Sequence, residues 1–241
     1  MKHPRGQASG PAAILQRMFC LKTSTSPPGS RSLKIGVSWN NRCRVIQRLP
    51  FLHSATASDV ARLQDLLREA LTGVGFHRPG KLAVLNLACG RADETGALAA
   101  ALAPAEIGHY LGIDLRAHTI AEAAKRWQLT DGLIEFRCGD ASAIDRMKQL
   151  PAFDFIFIRH QNYWNDPGTW DRLLGNAFAA LAPGGVLTCT SYFDREHELM
   201  KAALKTRGAE ILWDVRHPAS RPLSDAPGKS VDRHLAIFRN A

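Results

Sequence analysis

Three stretches that follow apolar runs of the sequence have residue types that could bind a ligand. Residues 86–92 (NLACGRA) are mostly small, which lets a ligand approach the main chain. Asp114 ends the second run, 24 residues beyond Gly90, where a carboxylate can accept two hydrogen bonds from a ribose diol. Asp140 ends the third run, where it could accept a hydrogen bond from the adenine amine. A helix N-terminus after the first stretch would favour a carboxylate or phosphate on the same ligand.

The stretch after the fourth apolar run has the composition of an acceptor pocket. It begins with Arg159 and His160 and continues with an amide and two aromatic side chains, Asn162, Tyr163 and Trp164. Such side chains can orient a planar or polar molecule, and electron-rich ring faces attract cations. Histidine is the most common general base in enzymes, so His160 could take the proton of a hydroxyl acceptor. An amine, a thiolate or an activated carbon would need no base.

Simpler structural roles compete with these functions. Asp114 and Asp140 could be helix N-caps, because aspartate is favoured where exposed backbone N–H groups need an acceptor. His160 could be a surface histidine, and residues 159–170 could be a packed loop whose aromatic side chains cover the sheet edge.

The residues of types that can bind metals are not arranged as a metal site. Asp194, Glu196 and His197 follow the fifth run, where a solvated helix start explains them, so we predict no metal there. The cysteines lack CxxC spacing and histidine neighbours, and we predict buried, reduced thiols in a cytosol-like compartment. They are Cys20, Cys43, Cys89, Cys138 and Cys189.

Hydrophobic periodicity places these residues on alternating strands and helices. A helix over 58–75, with Ser58 as its N-cap, precedes the first strand. The predicted strands are 82–87, 107–114, 133–140, 153–160, 186–193, 209–217 and 233–240. The other predicted helices are 93–102, 118–129, 171–181 and 195–206.

This order predicts an α/β fold with three αβα layers around a doubly wound, mostly parallel seven-stranded sheet. Only a loop, residues 218–232, joins the last two strands, so we expect them to form an antiparallel pair. Ligands of such sheets bind beyond the carboxyl ends of the strands, where the strand order reverses.

The positive charge of the chain is confined to its first part. The formal net charge is +9, yet residues 1–58 hold nine Lys or Arg and no acidic residue, which leaves 22 basic and 22 acidic residues in the remainder. We therefore predict a basic, disordered extension over 1–57 and one domain over 58–241. The extension could be an inert addition from an early start codon, an organelle transit peptide, or an arm that contacts nucleic acid or membrane phosphates. Without a transit peptide, the expected location is the cytoplasm.

Composition sets two further bounds. A hydrophobic fraction of 45% is ordinary for a globular domain. No apolar run reaches the roughly 18 residues that span a bilayer, so we predict no transmembrane helix.

The stretches LNLACGRADETG, LGIDL, CGDAS, FDFIFIRH and LAPGGVL, with the terminal strand pair, resemble the class I S-adenosylmethionine-dependent methyltransferases over residues 58–241. The resemblance implies the Rossmann-like fold of that family, S-adenosylmethionine as cofactor and methyl transfer to a small-molecule acceptor. It places the turn after the first strand at the methionine end of the cofactor, Asp114 at the ribose, and Asp140 with Ala141 at the adenine. Arg159 and His160 would line the floor where the acceptor meets the sulfonium. The implied cofactor-binding set is Asn86, Ala88, Cys89, Gly90, Asp114, Leu115, Asp140, Ala141 and Arg159.

The sequence departs from the family pattern in the first turn. Asn86 stands where an acidic residue is common, and Ala88 and Ala92 stand where glycines are common. Asparagine keeps a hydrogen-bonding side chain but no charge, and alanine tolerates positive φ less well than glycine. Because Gly90 is retained, we expect the site to survive, with Arg91 or Asp93 compensating for the lost charge.

Two other functions remain open at this point. A nicotinamide-dependent oxidoreductase would share the first strand–helix–strand unit and explain Asp114, but GRADETG matches GxGxxG poorly and Asp140 has no role in it. A non-catalytic protein that binds S-adenosylmethionine, or an RNA-directed protein that uses the basic arm, is the other alternative. The sequence does not determine the oligomeric state.

Overall fold

The computed structural model describes residues 54–127 and 133–241, so most of the predicted extension and the end of the predicted helix 118–129 lie outside the described residues. In chain order, the helices and strands are α1 (Ser54–Gly73), β1 (Lys81–Leu87), α2 (Thr95–Leu102), β2 (Glu106–Asp114), α3 (Ala117–Trp127), β3 (Ile134–Cys138), β4 (Phe153–Gln161), α4 (Pro167–Ala179), β5 (Leu181–Ser191), α5 (Asp194–Lys205), β6 (Ala209–Arg216) and β7 (His234–Asn240). A 3-10 helix, Ala141–Arg146, lies between β3 and β4. None of the described helices is long and apolar enough to cross a membrane.

The seven strands form one sheet in the order β3-β2-β1-β4-β5-β7-β6. Neighbouring strands from β3 to β5 are parallel, whereas β7 runs antiparallel to both β5 and β6. This arrangement confirms the predicted α/β class and the antiparallel terminal pair. The strand order reverses between β1 and β4, so the carboxyl ends of β1, β2 and β4 meet at the place where such sheets bind ligands.

Both faces of the sheet are buried. Leu85 and Leu87 of β1 face a core that includes Leu173 of α4, and Val84 faces a second core that includes Leu63 of α1. Side chains alternate along a strand, so Asn86 lies on the same face as Val84, surrounded by the second core. Beyond a register shift between Leu82 and Ala83, the pairing of β1 with β2 and β4 is regular and continues to Leu87.

The structure differs locally from the predicted elements at three places. Ser58 does not cap α1, because Ser54 begins the helix and residues 54–57 continue its first turn. Residues 141–146, which no predicted strand or helix covers, form the 3-10 helix, and Asp140 caps it. The predicted strand 186–193 begins earlier, because β5 starts at Leu181 and includes an irregularity at 182–185, seen as a shift in its pairing with β4.

Candidate active site

The turn after β1 has three residues with left-handed backbone conformations. The φ angles are 53° at Ala88, 56° at Gly90 and 53° at Ala92. The left-handed conformation costs an L-residue roughly 1–2 kcal/mol, so both alanines are held in this conformation by the surrounding structure. The turn is fixed to β2, because the amide of Cys89 donates to the Ile113 carbonyl at 3.1 Å and the amide of Gly90 donates to Asp114 Oδ2 at 2.8 Å.

Asp114, the predicted ribose ligand, is buried and already hydrogen-bonded. Its Oδ1 accepts from the backbone amide of Arg116 at 2.9 Å and from Arg116 Nε at 3.0 Å. Burial acts to raise the pKa of Asp114, but the hydrogen bonds from Arg116 and Gly90 outweigh it and hold the pKa below its ordinary value. A ribose diol would therefore have to replace donors from Arg116, whose side chain is 60% exposed.

The adenine end of the predicted cofactor site contains one exposed apolar residue and one helix cap. Leu115 is 73% exposed, which is unusual for a large apolar side chain. Asp140 is exposed, and its Oδ1 accepts from the backbone amide of Ser142 at 2.8 Å, so the capping role considered above is present. Ala141 is buried in the core.

A buried polar cluster lies beneath the turn. Asn86 Nδ2 donates to Glu94 Oε1 at 2.6 Å and to the Tyr110 hydroxyl at 2.9 Å. That hydroxyl is also 2.9 Å from Thr95 Oγ1. Asn86 Oδ1 is buried and has no hydrogen-bond partner among the described residues.

Glu94 was missed by the sequence analysis, which assigned the compensating charge to Arg91 or Asp93. Those two residues pair with each other at 3.2 Å, and Asp93 also pairs with Arg126 of α3. Glu94 is only 4% exposed. Burial raises the pKa of its carboxyl, although Arg159 and Asn86 act in the opposite direction. The only sequence signal was its position directly before the apolar helix α2.

Arg159 connects two buried carboxylates at the end of β4. Its Nε and Nη2 donate to the two carboxylate oxygens of Asp232 at 3.1 and 2.6 Å, and its Nη1 lies 3.7 Å from Glu94 Oε2. Burial acts to raise the pKa of Asp232, but the charge of Arg159 and the side-chain hydrogen bonds from His160 and Arg159 hold it far below its ordinary value. Asp232 was also missed, because it lies 73 residues from Arg159 at the end of the loop before β7.

His160 is held on several sides. Its Nε2 lies 2.9 Å from Asp232 Oδ1, and its backbone amide donates to Thr190 Oγ1 at 3.0 Å. Its ring stacks on Tyr192, with centroids 3.9 Å apart. Tyr192 follows β5 and was not predicted. Burial raises the pKa of its phenol to about 12, so the phenol is protonated at neutral pH.

The three residues predicted to bind the acceptor have different environments. The Tyr163 hydroxyl donates to Asp171 of α4 at 3.3 Å, and its ring packs against the core, as in the packed-loop alternative. Trp164 is 39% exposed and its ring lies 4.8 Å from that of Phe193. The Asn162 carbonyl accepts from the Asn165 amide at 3.2 Å within the loop.

The expectation of a solvated helix start at Asp194, Glu196 and His197 was wrong for two of the three residues. Glu196 and His197 are each 1% exposed. Glu196 accepts from the amide of Tyr192 at 2.9 Å, and His197 Nε2 lies 2.7 Å from Asp214 Oδ1. Within residues 54–127 and 133–241, there is no group of three side chains able to hold a metal ion.

The described cysteines are free thiols. Cys89 and Cys189 are buried, as predicted, but Cys138 is exposed because it ends β3 at the open edge of the site. Cys20 and Cys43 lie outside the described residues.

Comparison with known proteins finds a methyltransferase domain within this chain. Residues 84–185 match the family model described as a methyltransferase domain, a segment that includes the turn after β1, Asp114, Asp140 and His160. A structure named as an S-adenosylmethionine-dependent methyltransferase from Clostridium acetobutylicum is 13% identical and superposes with a TM-score of 0.58, covering 84% of this chain and 99% of that one. Residues 84–185 therefore contain a methyltransferase domain, and the described chain has the fold of the superposed methyltransferase. The cofactor is accordingly S-adenosylmethionine, and the nicotinamide alternative is discarded.

Two further structures show the same fold. The PH0226 protein from Pyrococcus horikoshii is 14% identical with a TM-score of 0.57, covering 83% of this chain and 99% of that one. TrmN from Thermus thermophilus is 20% identical with a TM-score of 0.53, covering 74% of this chain and 49% of that one. No curated protein has a significantly similar sequence. At these identities the superpositions establish the methyltransferase fold and leave the acceptor open.

The residues at the carboxyl edge of this methyltransferase fit its cofactor. A Cβ at Gly90 would meet only one described group, Arg116 Nη2 at 3.2 Å, so the turn is open on that side. Asn86 Oδ1 is a buried acceptor that needs a donor, and S-adenosylmethionine carries an ammonium.

Proposed function

We propose that this methyltransferase acts on a small molecule bearing a hydroxyl group, and that His160 is its general base. The proposal rests on the contact between His160 Nε2 and Asp232 Oδ1 at 2.9 Å. We assign a proton to Nε2, because the carboxylate is closer than the Asp232 backbone amide, which lies 3.2 Å away. The basic lone pair is then on Nδ1, which has no partner among the described residues. Asp232 orients the ring and stabilises the positive charge that the ring gains when it accepts a proton.

The cofactor supplies an electrophilic methyl group. The protein must therefore bind the cofactor, align the acceptor with the methyl group and deprotonate the acceptor. The turn containing Gly90 would hold the methionine end, Asp114 the ribose, and Leu115 with Asp140 the adenine. Holding an acceptor in line with the methyl group can contribute roughly 7–11 kcal/mol through alignment alone. The stacked Tyr192 ring limits the rotation of His160, so its lone pair keeps one direction.

A small acceptor is supported by charge and by the residues around His160. Beyond residue 58 the chain has equal numbers of basic and acidic residues, and therefore no excess charge that would attract a polyanion. Trp164 and Phe193 offer adjacent ring faces near the end of β5, and such surfaces favour a planar molecule. We further propose a cytoplasmic location, as expected from the reduced thiols.

The function is tested with a panel of phenols, aliphatic alcohols, primary amines and total RNA, with release of S-adenosylhomocysteine as the measurement. We expect turnover with a phenol or an alcohol. In His160→Ala, kcat should fall by at least about 100-fold with little change in the dissociation constant for S-adenosylmethionine, since general bases contribute roughly 10²–10⁴-fold. His77→Ala is the matched control, because His77 is exposed and precedes β1.

Turnover confined to RNA would overturn the proposed acceptor class. Turnover of an alcohol that survives in His160→Ala would overturn the proposed base.

A further inference from the structure

Between β6 and β7, the chain from Arg221 to Val231 folds into a hairpin that ends directly before Asp232. Pro222 and Ser230 pair as an antiparallel bridge within it, and the Val231 amide donates to the Arg221 carbonyl at 2.9 Å. Because Val231 precedes Asp232 in the chain, a displacement of Arg221 would also move the backbone that carries the Asp232 carboxylate.

A bidentate ion pair ties this hairpin to the start of α1. Arg221 Nε and Nη2 donate to the two carboxylate oxygens of Asp59 at 3.0 and 2.6 Å. Asp59 is buried and also pairs with Arg62 of its own helix. Burial acts to raise the pKa of Asp59, but the hydrogen bonds from Arg221 and Arg62 outweigh it and hold the pKa below its ordinary value. The carboxylate is therefore charged at neutral pH, and a buried charge is costly to separate from its partner.

The hairpin also contacts Tyr192, whose ring stacks on His160. The Ser230 amide donates to the Tyr192 carbonyl at 3.2 Å, and Lys229 Nζ lies 4.8 Å from the centroid of the Tyr192 ring. One short segment thus holds both residues that fix His160. It reaches Tyr192 through these contacts and Asp232 through the continuity of the chain.

The contact between His160 and Asp232 does not depend on which ring nitrogen carries the proton. A protonated Nε2 donates to Asp232 Oδ1 at 2.9 Å, and an unprotonated Nε2 accepts from the Asp232 amide at 3.2 Å. Both residues have left-handed backbone conformations, with φ angles of 56° at His160 and 49° at Asp232. Such conformations are strained for residues other than glycine and persist only where surrounding contacts impose them. The position of His160 therefore depends on the segment that holds Asp232.

We propose that the Asp59–Arg221 ion pair is a positioning contact for His160. The pair holds the hairpin against α1, and the hairpin holds Asp232 and Tyr192 around the His160 ring. The effect on catalysis rests on the proposed function, in which His160 is the base. The positioning itself is a property of the protein without ligands and can be measured separately.

The test is nuclear magnetic resonance of the full-length chain with isotope-labelled histidine and no ligand. The ring C–H resonances of His160, assigned by their loss in His160→Ala, should be shifted upfield by the ring current of Tyr192. In Asp59→Asn and in Arg221→Gln we expect them to move toward the positions of an exposed histidine, because the ring leaves its stacked position. The double variant should match the single variants, because each breaks the same ion pair.

Two control variants separate this ion pair from the other contacts of α1. Asp65→Asn removes an exposed carboxylate of the same helix and should leave the His160 resonances unchanged. Arg62→Gln breaks the pair within α1 but keeps Arg221 on Asp59, so it should also leave them unchanged. Equal shifts in Arg62→Gln and Arg221→Gln would show that Asp59 acts on the helix alone and would overturn the inference.

Turnover of the most active phenol or alcohol of the panel is the second measurement. In Asp59→Asn, kcat should fall about tenfold, less than the roughly 100-fold that a misplacement of about 1 Å can cost, with little change in the dissociation constant for S-adenosylmethionine. A lower unfolding temperature of Asp59→Asn with unchanged His160 resonances would show a structural role only and overturn the inference.

The inference and the proposed function fail in different ways. If the resonances move in Asp59→Asn and Arg221→Gln while His160→Ala keeps full turnover, the ion pair positions a residue that is not the base, and the proposed function fails alone. If His160→Ala loses turnover while the other two variants keep the resonances and the turnover of wild type, the inference fails alone.

Discussion

The Asp114 carboxylate is hydrogen-bonded to protein groups that a ligand would have to replace. Asp114 accepts from Arg116 through both the backbone and the guanidinium, which lies over the open side of Gly90. The buried end of β4 is organised differently, because Arg159 and Asp232 are fully paired and hold His160 in place. The Asp114–Arg116 pair can separate because the Arg116 side chain is exposed. Separating Arg159 from Asp232 would instead leave a buried charge unpaired.

Arg116→Ala should therefore strengthen cofactor binding. Without the guanidinium, Asp114 still accepts from the amides of Gly90 and residue 116, but more of its lone pairs are available to ribose hydroxyls. We expect the affinity for S-adenosylmethionine to rise about threefold, less than the value of one charge-assisted hydrogen bond. Titration calorimetry measures this change, with Arg137→Ala as control, since Arg137 forms a similar pair with Glu135 on β3. A loss of affinity in Arg116→Ala alone would mean that the guanidinium itself contacts the ligand.

At the scale of elements, the ends of strands and the starts of helices position the site. The turn after β1 is anchored to the end of β2, and the loop between β6 and β7 brings Asp232 to the end of β4. The start of α5 is buried against this region through Glu196, whose carboxylate accepts from the amides of Tyr192 and Phe193 at 2.9 and 3.4 Å. Tyr192, which supports His160, is thus fixed by the same residue that caps α5.

The stability of the protein should depend on pH through Glu196. Burial raises the pKa of Glu196 to about 7 from its ordinary 4.5, while the amides of Tyr192 and Phe193 and the charge of Lys229 act in the opposite direction. Between these values the native state keeps a proton that the unfolded state releases. The stabilisation that this retained proton gives the native state is therefore fully present below pH 4.5 and is lost as the pH rises to about 7.

Glu196→Gln should remove this dependence. Glutamine still offers an acceptor to the two amides but carries no charge, so we expect the variant to be more stable than wild type at pH 8 by on the order of 2 kcal/mol. The difference should shrink toward pH 5. Urea denaturation at several pH values measures it, with the exposed Glu198→Gln of the same helix as control. Equal pH profiles for wild type and Glu196→Gln would contradict the assignment.

For the whole molecule, the order of strands and helices could be predicted from the sequence, because apolar residues recur with the period of each element. The loop 218–232, which contains no predicted helix, further predicted the antiparallel terminal pair. The places of Asn86, Asp114 and His160 at strand ends follow from that order. Partners distant in the chain could not be read in this way: Asp232 reaches Arg159 only because β7 inserts between β5 and β6. Glu94 and Tyr192 were missed for a related reason. Each has its role through contacts with residues of other elements, Glu94 with Asn86 and Arg159, and Tyr192 with His160.

The uneven charge of the whole chain gives the last prediction. All of the excess positive charge lies within residues 1–58, so binding to polyanions should depend on that segment, and binding of the cofactor should not. Substituting Arg42, Arg44 and Arg48 by Gln should lower the salt concentration needed to elute the protein from heparin. The affinity for S-adenosylmethionine should stay within about twofold, because the residues proposed to bind the cofactor all lie between residues 86 and 159.

The matched control substitutes Arg146, Lys148 and Arg195, three exposed cations of the described domain, by Gln. The control removes the same formal charge, so equal effects of both triple variants on heparin elution would show that net charge matters and position does not. A loss of cofactor affinity confined to the Arg42, Arg44 and Arg48 variant would instead make the basic segment part of the cofactor site. Unchanged turnover of a phenol or an alcohol in that variant is the expected result, because the residues proposed to bind and deprotonate the acceptor lie between residues 86 and 232.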